Sequence, residues 1–373
     1  MKTLWKMRAC LALFAALLAT KSFAQAPSED WNTILQAAKK EAEVIVWATG
    51  GDLRRAFWKD AFEKANPGIA VKLFAPATLS ERDSRFIKEF EAGIAKVDIF
   101  VGGTGGMMGR LKPAGMLQPL RPLMRPETLD PKNWNGEQTW TDIDKKWSLV
   151  SDITPAAAAA VNASVKDEEL QTWGDLLSSK FDGKIIMSDP RQAGPGFALG
   201  LYMFYNPDMG PDFVARLFAK GRVQVSLDER QMVEWVDSGR MLVTLYPRQR
   251  EVDQLRELGG KLRLAPALKA GGVPQSIVVG SDGAIGVPNI NPLPNPNAAR
   301  VYIDWLYSRQ GQQAMVDILG IASTRADVDM SKLSPSVRPT PGVKYTSAND
   351  ERLQMPERAK AMRDVVAKAL SER

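Results

Sequence analysis

Histidine is missing from this chain, and cysteine occurs once in its 373 residues. A Ser-His-Asp or Cys-His nucleophile needs a histidine, so both kinds of catalytic site are excluded. Zinc sites of the usual kind, built from histidine and cysteine, are excluded for the same reason. Enzymes that use carboxylates or lysines stay possible, but the composition favours binding over nucleophilic catalysis.

The N-terminal segment is typical of a secretory signal peptide. Three basic residues come first, and the apolar stretch ACLALFAALLAT follows over 12 residues. Ala24-Gln25-Ala26 then offers small residues for cleavage. An apolar stretch this short does not span a bilayer. We therefore predict a signal peptide over residues 1–26, cleaved after Ala24 or Ala26, and export of the rest in soluble form.

Removal of residues 1–26 changes both the charge and the cysteine content. The segment carries four basic and no acidic residues, which leaves 45 basic against 43 acidic side chains. A net charge near +2 gives no electrostatic argument for a nucleic-acid partner. Cys10 is removed as well, so no disulfide supports the mature fold. The remaining length, roughly 347 residues, predicts two domains of ~100–200 residues each.

After the signal peptide the chain alternates between helical and extended segments. The stretch WNTILQAAKKEA, starting at Trp31, spaces its apolar residues for one face of a helix. The apolar segments 43–49, 69–75 and 96–103 are typical of strands buried in a parallel sheet. Since helical segments separate them, the order predicts a doubly wound sheet with ligands at the carboxyl ends of its strands.

A second α/β pattern follows an extended connector over Trp147–Val161. Its predicted strands are 183–189, 222–227 and 241–247, and its predicted helices are 172–180, 196–206, 211–220, 229–238 and 249–258. A strand pair over 276–289 then leads back toward the first unit, and an amphipathic helix over 357–372 closes the chain. The whole pattern is that of an α/β protein with two similar halves.

Two strand ends are rich in glycine, in the segments ATGGD (48–52) and VGGTGGMMG (101–109). Glycine lets backbone N–H groups approach a ligand closely and permits a sharp turn into the next helix. Neither segment follows the dinucleotide pattern G-x-G-x-x-G or the P-loop pattern. Two interpretations stay open here: ligand loops, or ordinary turns between strand and helix.

Four longer stretches resemble one protein family. They are AAKKEAEVIVWATGG, DIFVGGTGGMMGRLKPAGMLQPL, SDPRQAGPGFALGL and NPNAARVYIDWLYSRQGQQAMVDILGIASTRADV. In order and spacing the chain is similar to the periplasmic solute-binding proteins of ABC importers, type II, in the group of the ferric-ion-binding proteins. The resemblance extends over nearly the whole mature chain.

The resemblance implies an α/β fold of two lobes, each a doubly wound sheet flanked by helices, with the ligand in the cleft between them. We accordingly expect the first part of lobe 1 over 27–150, lobe 2 over 151–274, and a return to lobe 1 with C-terminal helices over 275–373. It also implies a periplasmic monomer that delivers its ligand to an inner-membrane ABC permease, without catalytic activity and without a cofactor.

The family's ligand loops fall on four segments of this chain. The residues concerned are Thr49, Gly50, Gly51, Gly103, Thr104, Gly105, Arg191, Gly194, Gly196, Tyr246 and Arg248, with Trp47 as a stacking wall. Arg191 is predicted to be the principal anion clamp, beside backbone N–H groups of Gly194–Gly196. Tyr246 and Thr49 are predicted to form hydrogen bonds with the ligand.

The segment TLYPRQR bears on the identity of the ligand. Ferric-binding members of the family have two adjacent tyrosines there, because phenolates are hard oxygen ligands for Fe(III). In this chain Tyr246 is followed by Pro247 and Arg248, and a guanidinium repels Fe(III) and attracts carboxylate or phosphate. We therefore expect a small anion, a carboxylate or a phosphonate. Ferric iron with Tyr246 as a metal ligand is the alternative, and a periplasmic hydrolase that uses carboxylates is a second one.

Three of these candidate residues also have a plainer structural interpretation. Arg191 is suited to an ion pair with Asp189, and Arg248 to the solvated start of a helix. Trp47, at the end of a core strand, is suited to packing. The contacts of the folded chain distinguish these roles.

Overall fold

The computed structural model describes residues 30–48, 50–76, 78–134, 139–192, 194–279, 284–334, 337–347 and 350–372. The predicted signal peptide over residues 1–26 and the candidate Thr49 lie outside these ranges. Within them, no helix is both long and apolar enough to cross a membrane.

Helices occupy much of the described chain. The α-helices are α1 (Trp31–Glu41), α2 (Asp52–Arg55), α3 (Phe62–Ala65), α4 (Leu79–Glu91), α5 (Thr104–Gly106), α6 (Pro195–Tyr205), α7 (Gly210–Phe218), α8 (Glu229–Asp237), α9 (Gln249–Glu257), α10 (Pro296–Tyr307), α11 (Arg309–Leu319), α12 (Glu351–Gln354) and α13 (Pro356–Ser371). Two π-helical segments, Ala56–Ala61 and Met107–Leu111, continue α2 and α5.

Most strands are short and form three five-stranded sheets. They are β1 (Glu43–Trp47), β2 (Ala70–Phe74), β3 (Ile99–Val101), β4 (Leu117–Gln118), β5 (Thr139–Trp140), β6 (Leu149–Val150), β7 (Asp152–Pro155), β8 (Ala159–Val161), β9 (Ile185–Ser188), β10 (Val223–Ser226), β11 (Val243–Leu245), β12 (Arg263–Leu264), β13 (Lys269–Ala270), β14 (Val273–Val279), β15 (Ile285–Pro288), β16 (Ala322–Ser323) and β17 (Lys344–Ser347). β5 and β6 form a separate antiparallel pair.

The first sheet has the strand order β2-β1-β3-β15-β4. β1 is parallel to both β2 and β3, whereas β15 is antiparallel to β3 and to β4. Val44 and Val46 pack in the cluster that contains α1 and α10, while Trp47 packs with Phe86 of α4. Because successive side chains of β1 meet helices on opposite faces, the predicted doubly wound sheet is confirmed.

The second sheet repeats this arrangement with the order β10-β9-β11-β8-β12. β9 lies parallel between β10 and β11, and β8 is antiparallel to β11 and β12. Ile185 and Met187 pack toward α6 and α7, and Ile186 packs toward α8. This sheet is therefore also covered by helices on both faces.

A third sheet carries the chain between the first two. Its strands follow the order β13-β14-β7-β16, and β17 lies parallel to β14. β7 connects the first sheet to the second, and β14 connects the second back to the first. These two strands pair antiparallel, with Val279 opposite Thr154. The predicted extended connector and the first strand of the predicted return pair are thus neighbours in one sheet.

The C-terminal helix α13 packs on the second sheet's helices. Its buried Met362, Val366 and Ala369 belong to the same apolar cluster as Leu199 and Leu217 of α6 and α7. The boundaries 27–150, 151–274 and 275–373 stay a prediction, and α13 within the last range contacts the second unit.

One predicted helix is wrong: residues 172–180 form 3₁₀ turns, Trp173–Leu177 and Ser179–Phe181. Thr172 and Asp175 close a capping box, in which the Asp175 carboxylate accepts the Thr172 N–H at 2.8 Å. Ser178 is extended, with ψ at 151°. Because an extended residue interrupts the helical hydrogen bonds, the apolar residues that predicted one helix lie in two separate 3₁₀ turns.

Asp98 joins three elements of the first unit. Its buried carboxylate accepts hydrogen bonds from Ile45 N (2.8 Å), Asn295 N (2.7 Å) and Asn295 Nδ2 (2.9 Å). Burial raises the pKa of Asp98, and the hydrogen bonds from Asn295 oppose that rise. The carboxylate therefore ties β1 and the segment before β3 to the start of α10.

We predict that Asp98→Ala lowers the free energy of unfolding by on the order of 3 kcal/mol, because it leaves buried N–H donors without an acceptor. Urea denaturation followed by far-UV circular dichroism measures the change. Asp60→Ala, on an exposed helical position, is the control and should stay within about 0.5 kcal/mol. Equal stability of the two variants would contradict the role of Asp98.

Candidate ligand-binding site

The glycine segment after β3 turns the chain sharply into a helix. Gly102 and Gly103 have φ angles of +76° and +77°, which glycine adopts without steric cost. Thr104 then begins α5, and the π-helix Met107–Leu111 follows without a break. The segment ends the middle strand of the first sheet, at the edge where α/β proteins bind ligands.

A buried ion pair lies beneath this segment. Arg82 is 0% and Asp83 2% exposed, and the Arg82 Nη2 donates to Asp83 Oδ1 at 2.7 Å. The Arg82 Nη1 donates to the carbonyl oxygens of Val101 (3.0 Å) and Gly102 (2.9 Å). Burial lowers the pKa of Arg82, and the Asp83 carboxylate opposes that fall. The guanidinium therefore holds the carbonyls at the end of β3 in one direction.

Two glycines of the segment are required by this ion pair. A Cβ on Gly103 would stand 3.0 Å from Arg82 Nη2, and a Cβ on Gly106 would stand 2.0 Å from Asp83 Oδ2. Gly105 has no atom within 4 Å of the position of a Cβ. The candidate Gly105 thus faces open space, whereas Gly103 serves packing as well as the turn.

The Thr104 hydroxyl has an uncommon environment. Thr104 is 0% exposed, and its Oγ1 has no hydrogen-bond partner among the described residues. It lines a pocket of about 370 Å³ together with Asp83, Gly103, Gly105 and other residues that include Arg110. A buried hydroxyl without a partner is costly, and a ligand in this pocket would supply one.

The other candidates of the first unit lie at the end of β1. Trp47 is 3% exposed, with its ring centroid 4.7 Å from that of Phe74 and the guanidinium carbon of Arg85 5.1 Å away. It packs in the core, so its ring has almost no accessible face. Gly50 approaches the carbonyl oxygens of residues 75 and 76, and Gly51 begins α2 with φ at +109°.

Arg191 is ion-paired with Asp189. Its Nε lies 2.9 Å from Asp189 Oδ1 and its Nη2 lies 2.7 Å from Oδ2. The hydrogen bonds from Arg191 lower the pKa of Asp189 below its usual range. The pair is partly open, since the Arg191 side chain is 39% exposed. The plainer interpretation, an ion pair with Asp189, describes the contacts of Arg191 in this structure.

The two glycines near Arg191 do different things. Gly194 precedes α6 with φ at +145°, and no atom lies within 4 Å of the position of a Cβ. Gly196 is the second residue of α6, and a Cβ there would stand 2.0 Å from the carbonyl oxygen of Ser188. Gly196 is therefore required for α6 to start directly against the end of β9.

Tyr246 ends the middle strand of the second sheet in a strained conformation. Its φ is +53°, in the left-handed region, which costs a residue other than glycine about 1–3 kcal/mol. Tyr246 is 7% exposed, and its hydroxyl has no hydrogen-bond partner within the described ranges. Burial raises the pKa of this phenol, and Arg248 opposes the rise.

Arg248 starts α9 and forms an ion pair across to α8. Its Nε lies 2.5 Å from Glu229 Oε2, and the Arg248 side chain is 57% exposed. The charge of this guanidinium is thus partly balanced by a carboxylate, although much of the side chain is in solvent.

Comparison with known families decides what kind of protein has this geometry. The family model described as bacterial extracellular solute-binding protein matches residues 95–349. The chain belongs to this family of solute-binding proteins. A search of curated protein sequences finds no match.

Solved structures of similar fold are two-lobed binding proteins. IdiA (FutA) of Trichodesmium, in complex with iron and citrate, has a TM-score of 0.66 and 16% identity, over 88% of this chain and 99% of that one. The Bordetella ferric binding protein has a TM-score of 0.63 and 16% identity, over 89% and 100%. AfuA of Actinobacillus pleuropneumoniae, with fructose-6-phosphate bound, has a TM-score of 0.51 and 17% identity, over 88% and 98%.

These findings confirm the predicted family and the two-lobed type II fold. Extracellular solute-binding proteins of ABC importers are transport proteins that bind a small ligand and deliver it to a membrane permease. This solute-binding protein is accordingly the binding component of an ABC importer. Its family is extracellular by description, in line with the predicted export, while the cleavable signal peptide stays a prediction.

Arg82, Asp83 and Arg110 belong to the candidate site in the structure but were not predicted from the sequence. The segment LSERDSRF reads as a solvated helix, because four of its eight residues are charged. A signal was present nonetheless: Phe86 lies four residues after Arg82, on the same helix face. Since Phe86 is buried, Arg82 points into the protein too.

We predict that Gly196→Ala destabilises the protein at the upper end of the roughly 1–3 kcal/mol that overpacking costs, because the new Cβ would collide with the Ser188 carbonyl. The control is Gly109→Ala, at a helical position with no atom within 4 Å. Thermal unfolding measures both. A stable Gly196→Ala variant would show that α6 and β9 are not in close contact.

Proposed function

We propose that this solute-binding protein captures a small oxyanion, a carboxylate, a phosphonate or a phosphate ester, in the cleft between its lobes. The observation that carries the proposal is a pair of buried hydroxyls, on Thr104 and Tyr246, that lack hydrogen-bond partners among the described residues. Each follows the middle strand of its five-stranded sheet. Buried polar groups are nearly always bonded. The described residues contain four buried hydroxyls without a partner, on Thr104, Ser148, Thr244 and Tyr246, and the two that follow the middle strands support a ligand site.

Neutral donors on the first lobe support an anion in particular. The first helical amides after Gly103 have no partner inside their own helix, and the first bonded one is Met107 N, 3.1 Å from the Gly103 carbonyl. Thr104, Gly105 and Gly106 line the 370 Å³ pocket. Arg110 adds a positive charge to the same pocket. An oxyanion placed there would accept from amides and from the Thr104 hydroxyl.

Tyr246 supports an anion on the second lobe. Because burial raises the pKa of its phenol, the hydroxyl keeps its proton at neutral pH and is able to donate it to an oxyanion. A ferric site needs a phenolate, and burial disfavours that charged form in the metal-free protein. The strain at Tyr246 indicates that the surrounding chain holds the hydroxyl in place.

We propose a smaller role for the two arginines than the sequence predicts. The Nε and Nη2 of Arg191 are bonded to Asp189, so a ligand would meet mainly its Nη1. The Arg248 guanidinium is ion-paired with Glu229, so a ligand would share it with that carboxylate. Both stay proposed ligand contacts, with Gly50, Gly51 and Gly194 as backbone contacts, but neither arginine brings an uncompensated charge.

The ligands of two similar structures are consistent with an oxyanion. One contains citrate beside iron, and another contains fructose-6-phosphate. Citrate carries carboxylates and fructose-6-phosphate carries a phosphate ester, so an oxyanion is the chemistry common to these two ligands. Iron in the names of several neighbours makes ferric iron, with Tyr246 as a ligand, the second candidate.

We predict that Thr104→Val and Tyr246→Phe each weaken binding of the ligand about ten-fold, the value of one hydrogen bond. Each should leave the ligand-free protein as stable as the parent or up to about 1–3 kcal/mol more stable, since a buried hydroxyl without a partner is removed. Calorimetric titration and urea denaturation give the two readouts.

Matched controls have hydroxyls that are already bonded. The Tyr302 hydroxyl donates to Trp58 O at 2.9 Å, and Thr128 Oγ1 donates to Asp304 Oδ1 at 2.8 Å. Tyr302→Phe and Thr128→Val should therefore lower stability by about 1 kcal/mol and leave affinity unchanged. If the site variants behave like these controls, Thr104 and Tyr246 are structural and the proposal fails.

The ligand class is tested by thermal shift with citrate, phosphate, methylphosphonate and fructose-6-phosphate, each with and without Fe(III). We expect an oxyanion to stabilise the metal-free protein, by about 2.7 kcal/mol at 100 times its Kd. Stabilisation that occurs only with Fe(III), together with a visible charge-transfer band that Tyr246→Phe removes, would show that the ligand is ferric iron and not an anion alone. Chemical conversion of the added compound would contradict a purely binding role.

A further inference from the structure

A second pocket lies against the sheet that carries the chain between the lobes. Its volume is about 670 Å³, within the range of small-molecule sites. Ile153 of β7, Ser323 of β16 and Tyr345 of β17 form one wall, and the loop that contains Arg338 forms another. It shares no lining residue with the pocket of the glycine segment.

The pocket has a positive charge without a counter-charge. Arg338 is half-buried, and it is the charged side chain among the described residues that line the pocket. No hydrogen bond or ion pair of its guanidinium to a described residue is present. By contrast, Arg325 and Arg352 are ion-paired with Asp327 and Asp350. A half-buried guanidinium without an acceptor is an anchor for a carboxylate.

Tyr345 offers a second donor beside this charge. Its hydroxyl oxygen accepts the Thr340 N–H at 2.9 Å, so the phenolic proton remains for another acceptor. The other hydroxyls of this wall are committed: Ser323 Oγ donates to Gln312 Oε1 at 2.5 Å, and Thr324 Oγ1 donates to Ser151 O at 3.0 Å. Arg338 therefore offers a charged donor and Tyr345 a phenolic one, and the lining also includes the hydroxyl residues Ser331 and Thr340.

The rest of the lining is largely apolar. Ile153, Met330, Pro339, Pro341 and Val343 face the cavity. Inorganic phosphate would leave these side chains in water, whereas an alkyl or aromatic group would cover them. The ligand that fits both features has one anionic end and one apolar end.

We propose that this pocket is a second binding site, for a small carboxylate with an apolar tail, held by Arg338 and Tyr345. The site does not depend on the oxyanion proposed for the cleft. Because β7, β16 and β17 belong to the sheet that links the lobes, its ligand contacts that linking sheet directly.

The test is a calorimetric titration of the parent protein with hexanoate, compared with hexanol and hexylamine. Hexanoate should bind at least about ten-fold more tightly than either compound, since both have the tail and lack the negative charge. This comparison needs no variant. Equal binding of hexanol or hexylamine would overturn the proposal.

Variants then locate the binding. Arg338→Gln should weaken hexanoate at least about ten-fold and Tyr345→Phe less, while Lys332→Gln, an exposed cation nearby, should not change it. Thr104→Val and Tyr246→Phe should leave it unchanged too. Loss of hexanoate binding in these two cleft variants, or none in a folded Arg338→Gln, would refute the second site. The oxyanion proposal would be unaffected by either result.

Discussion

The buried contact between Arg82 and Asp83 controls the shape of the first lobe's binding edge. A guanidinium removed from water must have its donors satisfied, and Arg82 bonds to the neighbouring carboxylate and to the carbonyls of Val101 and Gly102. The ion pair fills the space that Cβ atoms on Gly103 and Gly106 would need. The same ion pair therefore explains why positions 103 and 106 are glycine, how the peptides at the end of β3 are oriented, and where the Thr104 hydroxyl lies at the pocket.

In the second lobe, a strained backbone conformation and not an ion pair holds the corresponding hydroxyl at a strand end. Tyr246 is held in a left-handed conformation at the end of β11, with a buried hydroxyl that no described residue satisfies. β3 and β11 are alike in topology, because each is parallel to one neighbour and antiparallel to the other. In both sheets the next strands lie on opposite sides of one strand, β1 in the order β2-β1-β3 and β9 in the order β10-β9-β11. Such a reversal of strand order leaves a crevice at the carboxyl ends of open α/β sheets, here between β1 and β3 and between β9 and β11. The two hydroxyls therefore lie at corresponding places in the two sheets.

The arginines near the candidate sites differ in whether a carboxylate balances their charge. Asp189 and Glu229 balance the arginines beside the second sheet, whereas Arg338, beside the linking sheet, has no such partner among the described residues. A balanced arginine contributes geometry more than net attraction, because a ligand must share it with a carboxylate. An unbalanced one selects for a negative charge. The same residue type accordingly has two different consequences in one fold.

The sequence by itself determined the order of strands and helices and the family, and it predicted the export signal. Hydrophobic periodicity and short family-specific segments are local patterns, so they can be recognised without the fold. It did not determine which polar groups remain available. Arg191 was predicted as the principal anion clamp and Arg248 as a ligand contact, and both are ion-paired. Gly196 was predicted as an amide donor and is needed for packing, and residues 172–180 form tight turns. Only the tertiary structure decided these points. The partner of Arg248 and the carbonyl that a Cβ on Gly196 would meet belong to other elements of the fold, and a cap overrides the apolar spacing of residues 172–180. Asp189 lies only two residues from Arg191, so the sequence offered this ion pair as one of two interpretations and the folded contacts decided between them.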